Sequence, residues 1–402
     1  MAAEGFASID FHAFHCDELP RRLADGRGAM AARSSREHGS LAFRLESGDA
    51  YTYAPRDGAI QVEAGDAAAD TVIELAHAAW EGLVHDYESA PGLLYASRVR
   101  CRRGQAMRFV AWEPALRAIF AGRPIYDPAA VRLADRSGRP LDVERSFELG
   151  DDRDEMAHFL RTAGYLLVRG VFRESEVAGF LADAQALRGE ARKGDKLSWW
   201  ARNAAGEEVL CRVTRAAARP RLATLPTDAR ILTLVSLADS PLAHRRGEGN
   251  GVTVIYKNPS IGEGLSDLPW HRDCGMGGHS VMCPVLIAST FLTPATPETG
   301  ELRFLPGSWD RSCGFMEATD RRAPRGVSFV AQPGDVSIHY GDVMHAAPPP
   351  TRSDLPFYRT SAVVGFARPD ARIHIGGTSY NQVLHQREDG QIEHLAKVAG
   401  RA

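Results

Sequence analysis

Across residues 17–36 the apolar positions recur at helical spacing, which predicts a helix with one face turned inward. The period then changes. Short alternating runs at 40–45, 50–54 and 59–63 are split by Ser47-Gly48-Asp49 and Arg56-Asp57-Gly58, turn sequences in which glycine takes positive φ without steric cost. These predict a meander of hairpins, and 71–75 predicts a further strand. Helices are expected around 78–88 and 113–120, with an extended piece at 104–109 between them. Residues 125–154 are polar and broken by prolines and Asp/Gly clusters, the texture of a linker. After it, 155–163 reads as an amphipathic helix through Met156, Phe159, Leu160 and Ala163, and 165–168 as a buried strand. Residues 175–187 form another helix, with Val177, Phe180, Leu181, Ala184 and Leu187 on one face. From 251 to 366 short strands alternate with Gly/Pro turns, the pattern of a sandwich or jelly roll.

A chain of 402 residues suits two domains of roughly 100–200 residues each. Hydrophobic residues at 44% and charged residues at 25% describe a globular protein and exclude a disordered chain or a membrane channel. Lys and Arg number 48 against 51 Asp and Glu, so the net charge of −3 offers no concentrated basic surface for nucleic acid. Six cysteines without a Cys-x-x-Cys pair indicate neither a disulfide scaffold nor a zinc ribbon. Glu4, Asp10, Asp17 and Glu18 interrupt the N-terminal stretch, and no apolar run reaches the roughly 18 residues that a bilayer requires. The expectation is a cytoplasmic protein with no signal peptide and no membrane span.

Candidate chemistry centres on His271-Arg272-Asp273 and the distant His345. Strand alternation sends residues i and i+2 to one side, so His271 and Asp273 can reach the same ion. Two imidazoles and one carboxylate suit a non-heme Fe(II) centre with open positions; the same set can hold Mn or Co in a cupin. His-x-Asp alone is weak, because on the order of one copy arises by chance in a chain of this composition. A second copy, His15-Cys16-Asp17, reads as a surface feature, with Asp17 helping a helix to start.

The segments around the downstream copy raise its standing. "YKNPSIGEGLSDLPW" precedes His271, and "VLIASTFLTPATPETGELRFLPGSW" and "QPGDVSIHYGDVMHAAPPPTRSDLPFYRTSAVVGF" follow. Over about 154–369 these pieces resemble the phytanoyl-CoA dioxygenase family of Fe(II)/2-oxoglutarate oxygenases. The resemblance implies a double-stranded β-helix (jelly roll, cupin-like) with flanking helices, iron(II) and 2-oxoglutarate as cofactors, and dioxygen with a small-molecule substrate as partners. His271, Asp273 and His345 match the catalytic iron ligands. Arg359 matches the arginine that grips the far carboxylate of 2-oxoglutarate with a bidentate fork, which lysine cannot reproduce. Ser361, on the same strand face, adds a hydroxyl donor. Tyr256 and Lys257 match a Tyr-Lys pair near substrate and cosubstrate; we assign Lys257 to the cosubstrate and Tyr256 to the substrate. One departure is "AAPPPTRSD" after His345, where the family carries a Gly-Ser-x-Pro-Asn pattern. His339 is a reserve ligand and otherwise, like His279, a packed histidine. Trp270 and Trp309 are expected to pack around the site. Trp199 and Trp200 fall in a charged, loop-like region, and Trp200 with Arg212 is a candidate substrate contact or lid. Because related halogenases lack the carboxylate, Asp273 points to hydroxylation, with desaturation or cyclisation as variants.

The N-terminal stretches "LAFRLESGDAYTY" and "ADTVIELAHAAWEGLV" resemble the sterol-carrier-protein-2-like fold, a curved sheet with helices that often encloses an apolar pocket. The alternative is a helper domain for dimerisation or for covering the active site. The fold class expected is α+β in two domains: a small α/β SCP2-like domain at 1–125, a linker at 126–152 and the jelly roll at 153–402. The function expected is hydroxylation of an unactivated C–H in a small organic substrate, whether hydrophobic, carrier-linked or a secondary-metabolite intermediate. The alternatives are an inactive lipid-binding or carrier protein and a cupin with another metal. A homodimer is compatible with either.

Overall fold

In the computed structural model, residues 6–203, 205–244, 251–259, 261–263, 268–274, 285–316, 323–370 and 395–402 are described. The first sheet comprises β1 (Leu41–Leu45), β2 (Ala50–Arg56), β3 (Ala59–Ala64), β4 (Thr71–Leu75) and β5 (Val99–Arg103), in the order β3-β2-β1-β4-β5. The two hairpins pair antiparallel as their turns predict, whereas β4 lies parallel to β1. Alternation sorts the side chains. Leu41, Phe43 and Leu45 join Trp80, Phe109 and Leu116 under the helices His77–Val84 and Ala106–Ala121, while Ala42 turns the other way, to Val72 and Ala69.

Three local expectations are corrected here. Helical turns begin at Phe11, where Asp10 accepts a hydrogen bond from the Ala13 amide, and Asp17 is not the cap. His15 is not a surface residue: it is 4% exposed, its Nδ1 lies 2.6 Å from the Phe11 carbonyl and its Nε2 2.7 Å from the Tyr53 hydroxyl. Residues 104–109 are not extended. The strand is β5, the chain turns at Gly104 with φ +81°, and the helix starts at Ala106. A Cβ at Gly104 would lie 2.5 Å from the Asp70 carbonyl oxygen, so this turn requires glycine.

The second unit begins with β6 (Phe147–Glu148), helix Arg153–Ala163, β7 (Tyr165–Arg169) and helix Glu174–Glu190. β8 (Ser198–Asn203), β9 (Glu208–Val213), β10 (Ala243–His244), β11 (Val252–Lys257), β12 (Ile261–Glu263), β13 (Leu268–His271) and β14 (Val285–Phe291) follow. The last strands are β15 (Leu302–Phe304), β16 (Val327–Phe329), β17 (Val336–Tyr340), β18 (His345–Ala347) and β19 (Arg359–Ala367). A ten-stranded sheet runs β12-β8-β9-β11-β19-β14-β17-β7-β6 with β10 beside β19, and a four-stranded sheet runs β13-β18-β15-β16. The architecture is mixed α and β, and the two sheets of this unit, one large and one small, are consistent with a jelly roll.

Alternation also divides the large sheet. Val254, Tyr256, Leu286, Ala288, Ile338 and Val364 share one core with Phe180, Ala184, Ile231 and Leu234 of the covering helices. The positions between them, including Lys257, Ser289, Ser337, His339, Arg359 and Ser361, face the small sheet.

The two units share packing. Trp199, Ala201 and Cys211 of the β8–β9 hairpin belong to the core of the N-terminal unit, as do Leu395 and Ala399 of the last helix, Leu395–Ala399. The Cys101 amide donates to the Ala402 carbonyl at 3.1 Å. Trp199 and Trp200 therefore do not lie in a loop. They sit in β8, paired with β9, where apolar burial on both sides removes the freedom a lid would need. No described helix is long and apolar enough to cross a membrane.

Burial pushes the His15 pKa down to about 4, against the opposing pull of the Phe11 carbonyl. The unfolded chain then binds a proton near pH 6.5 that the folded chain refuses, so stability is lost as pH falls from 6.5 towards 4. The loss is about 3 kcal/mol at most. Denaturant unfolding at pH 7 and 4.5 should show this drop, and His15→Gln should flatten it.

Candidate metal centre

The site is built on the small sheet. β13 and β18 pair antiparallel in a register that sets His271 opposite His345, with ring centroids 4.1 Å apart. On the other side of β18, Phe304 of β15 lies opposite His345 and stacks near its ring at 5.8 Å. Asp273 follows just past the end of β13. Its Oδ1 is 3.7 Å from His271 Nε2 and its Oδ2 is 3.8 Å from His345 Nε2. One donor atom from each of His271, Asp273 and His345 falls within 4.8 Å of the others.

The protonation states suit metal binding. His345 Nδ1 lies 3.0 Å from the Val343 carbonyl, a bond that needs the proton on Nδ1 and leaves the Nε2 lone pair towards Asp273. Burial, reinforced by His271, lowers the His345 pKa to about 3, so the imidazole is neutral at physiological pH. Loss of hydration alone would raise the Asp273 pKa. The surrounding imidazoles of His345, His271 and His339 outweigh it and hold this carboxyl well below its usual range. Neutral imidazole and ionised carboxylate are the forms that coordinate a cation.

His339 reaches the cluster from the opposite sheet. Its Nε2 is 3.5 Å from Asp273 Oδ2 and its ring is 4.8 Å from that of His345. Among the described residues, neither of its ring nitrogens, nor the Oγ of Ser337 two residues before it, has a hydrogen-bond partner, although both residues are buried. Buried polar atoms are normally satisfied. Orphaned ones that face a donor set of two imidazoles and a carboxylate fit a site that receives a polar guest. His279, read from sequence beside His339 as a packed histidine, lies outside the described residues.

The other residues singled out from sequence divide into two groups. Lys257 and Arg359 are cross-strand partners in β11 and β19, both buried, and so stand side by side on the inner face. Ser361 is two residues further along β19, opposite Ile255 and Phe291, and is also buried. Lys257 spans to the small sheet, where its Nζ donates to the Ala347 carbonyl at 2.7 Å, two residues after His345. Gly300 makes room for it. A Cβ there would lie 2.2 Å from Lys257 Cε, and φ is +77°. Arg212 is opposite Ile255 on β9, with its guanidinium 4.2 Å above the Trp199 ring.

Tyr256 and Trp200 leave the site. Tyr256 alternates to the helix-covered face, where its hydroxyl donates to the Ala184 carbonyl at 2.5 Å, so the assignment to substrate is corrected to packing. Trp200 packs against the core of the second unit with its Nε1 on Ser198 Oγ at 3.0 Å, a structural contact in place of the lid. Trp270 is buried with Leu305, Cys313 and Met344, and Trp309 stacks on Tyr340 at 4.4 Å.

Two facing sheets enclosing a His–Asp–His cluster are consistent with a jelly roll that carries a candidate metal site. The sequence model of the phytanoyl-CoA dioxygenase (PhyH) family matches residues 160–354, a segment that holds His271, Asp273 and His345. Several solved structures are similar to the chain. AviO1 from Streptomyces viridochromogenes Tue57 has 22% identity over 55% of this chain and 97% of that one, with a TM-score of 0.41. The epimerase SnoN in complex with Fe3+, alpha ketoglutarate and nogalamycin RO has 24% identity over 55% and 86%, with a TM-score of 0.44. EctD from S. alaskensis with 2-oxoglutarate and 5-hydroxyectoine has 21% identity over 63% and 88%, with a TM-score of 0.44. No curated protein matches the chain.

Tyr256→Phe separates packing from chemistry. It should lower stability by about 1 kcal/mol through the lost hydrogen bond and leave divalent-metal affinity unchanged, as urea unfolding and metal titration would report.

Proposed function

We propose that the chain is a phytanoyl-CoA dioxygenase-like oxygenase that uses iron(II) and 2-oxoglutarate to oxidise an unactivated C–H of a small organic substrate. The observation that carries this reading is the convergence of His271, Asp273 and His345 within 4.8 Å inside a segment that matches the family. In this reading the two Nε2 atoms and one Asp273 oxygen hold the metal. Iron(II) with 2-oxoglutarate and dioxygen supplies an oxidant strong enough for such a C–H bond. Hydroxylation is the outcome that Asp273 favours, because its carboxylate occupies the place an added anion would need.

The chain's own residues supply placement. Arg359 holds the distal carboxylate of 2-oxoglutarate through its planar fork, and Ser361 donates from the same strand face. Lys257 stands next to Arg359. The Lys257 bond to Ala347 ties the cosubstrate side to the strand that carries His345. Arg212, on the same face, contacts the substrate. The domain division at 1–125, 126–152 and 153–402, the SCP2-like character of the first unit and a homodimeric assembly belong to this proposal too. A five-stranded sheet packed under helices is what supports the SCP2-like reading.

Anaerobic titration of the chain with iron(II) and 2-oxoglutarate tests the reading through the visible charge-transfer band of the chelated 2-oxoacid. The wild type should show the band and release succinate in air with a suitable substrate, and Asp273→Ala should lose both. Absence of the band from the wild type would return the chain to a carrier or another-metal cupin. Arg359→Lys should retain iron binding and raise the KM for 2-oxoglutarate by roughly 10–100-fold, the size of one charged bidentate contact.

A further inference from the structure

Helix Ala106–Ala121 is almost wholly apolar, yet it buries Glu113 and Arg117, one helical turn apart on the same side. Their partners lie in both units. The Arg272 guanidinium donates to Glu113 Oε1 and, at 2.9 Å, to Asp342 Oδ1. Arg117 is bidentate to Asp86 at 2.7 and 3.0 Å and lies 3.5 Å from Asp342 Oδ2, and Arg123 completes the set at 3.1 Å from Asp86. The second Glu113 oxygen accepts from the Ala90 amide at 3.0 Å. Three carboxylates thus meet three guanidinium groups, and Glu113, Arg272, Arg117 and Asp86 are each no more than 6% exposed. Charges this deep are weakly screened, so the loss of one is felt by the rest.

The position of Arg272 gives the network a purpose. It is the middle residue of His271-Arg272-Asp273, and alternation sends its side chain away from the two candidate ligands. Asp342 lies three residues before His345. One fork therefore grips the backs of both stretches that supply the cluster, and its other hold is on the N-terminal unit. A cavity of about 30 Å³ lies at this joint, lined by Val110, Glu113, His271, Arg272 and Cys313 among others. It has room for a water molecule or two.

We propose that the N-terminal unit is a positioning element of the metal centre: Glu113, with Asp342, clamps Arg272 and thereby sets the spacing of His271, Asp273 and His345. The proposal rests on the metal-centre reading above. Glu113 and Arg272 are positioning residues that touch neither metal nor substrate. The role assigned to the first unit is mechanical support of the other unit's site.

Full-length wild type, Glu113→Gln and Leu93→Ala should be titrated with Co(II) alone, read by its visible absorption, and melted without metal. Leu93 is buried in the N-terminal core outside the network, so Leu93→Ala controls for general destabilisation. Both variants should melt lower. Glu113→Gln should weaken Co(II) binding by roughly 10–100-fold, as loss of supporting contacts does elsewhere, while Leu93→Ala should stay within about twofold. Wild-type Co(II) affinity in a folded Glu113→Gln would overturn the proposal and leave the pair a structural staple. Should that variant not fold, Arg272→Lys, which keeps the charge and loses the fork, decides by the same measurement: weakened binding supports the proposal and unchanged binding overturns it. Failure of the wild type to bind Co(II) at all would overturn the metal-centre reading itself.

Discussion

The pairing of β13 with β18 is the constraint on which the site depends. Its register puts His271 opposite His345, and a slip of one residue would turn an imidazole to the far side of the sheet. That register is held from several directions. Phe304 pairs with His345 across β15, the Val343 carbonyl fixes the His345 tautomer, and Lys257 reaches over from the large sheet to the Ala347 carbonyl. No single contact would suffice, because short strands of three or four residues carry few ladder hydrogen bonds of their own.

The interior between the sheets is not built for packing density alone. Its inner face carries Lys257 beside Arg359, serines at 289, 337 and 361, and His339, set among Ile255, Ile287 and Val363. Leaving Ser337 and His339 without hydrogen bonds among the described residues costs stability. A fold tolerates such costs where a ligand or an ion offsets them. The large apolar core on the other face of the same sheet, from Phe180 to Phe366, supplies the stability that makes this affordable.

The two units are less separate than the order of elements along the chain suggests. The β8–β9 hairpin and the last helix of the C-terminal part complete the core of the N-terminal unit, and a set of six charged groups, four of them buried, crosses between them. Apolar contact gives this joint its cohesion, while the ionic network gives it direction, because guanidinium forks and carboxylates accept few relative orientations.

Period and turn chemistry were enough to read most elements from sequence: the hairpins of β1 to β3, the strand at β4, the helices beginning near 153 and 174 and the run of short strands after 251. The His271, Asp273 and His345 set was also legible, since strand alternation and motif order are local properties of the chain. Errors arose where local pattern was ambiguous. Gly104 shifted a strand and a helix start, and two tryptophans in a charged stretch looked like a loop although their partners in β9 and the N-terminal core make a strand. Tyr256 and Lys257 illustrate the limit well, because adjacent residues on a strand take opposite faces and only the sheet's two sides decide which face holds the chemistry. Glu113 came to hold Arg272 through a contact between elements far apart in the chain, whereas His339, the reserve ligand six residues before His345, meets Asp273 across the two facing sheets. The sequence by itself determined which chemical groups are available and at what local spacing. The tertiary structure alone decided which of them meet, because long-range register and burial depend on packing that no local period encodes.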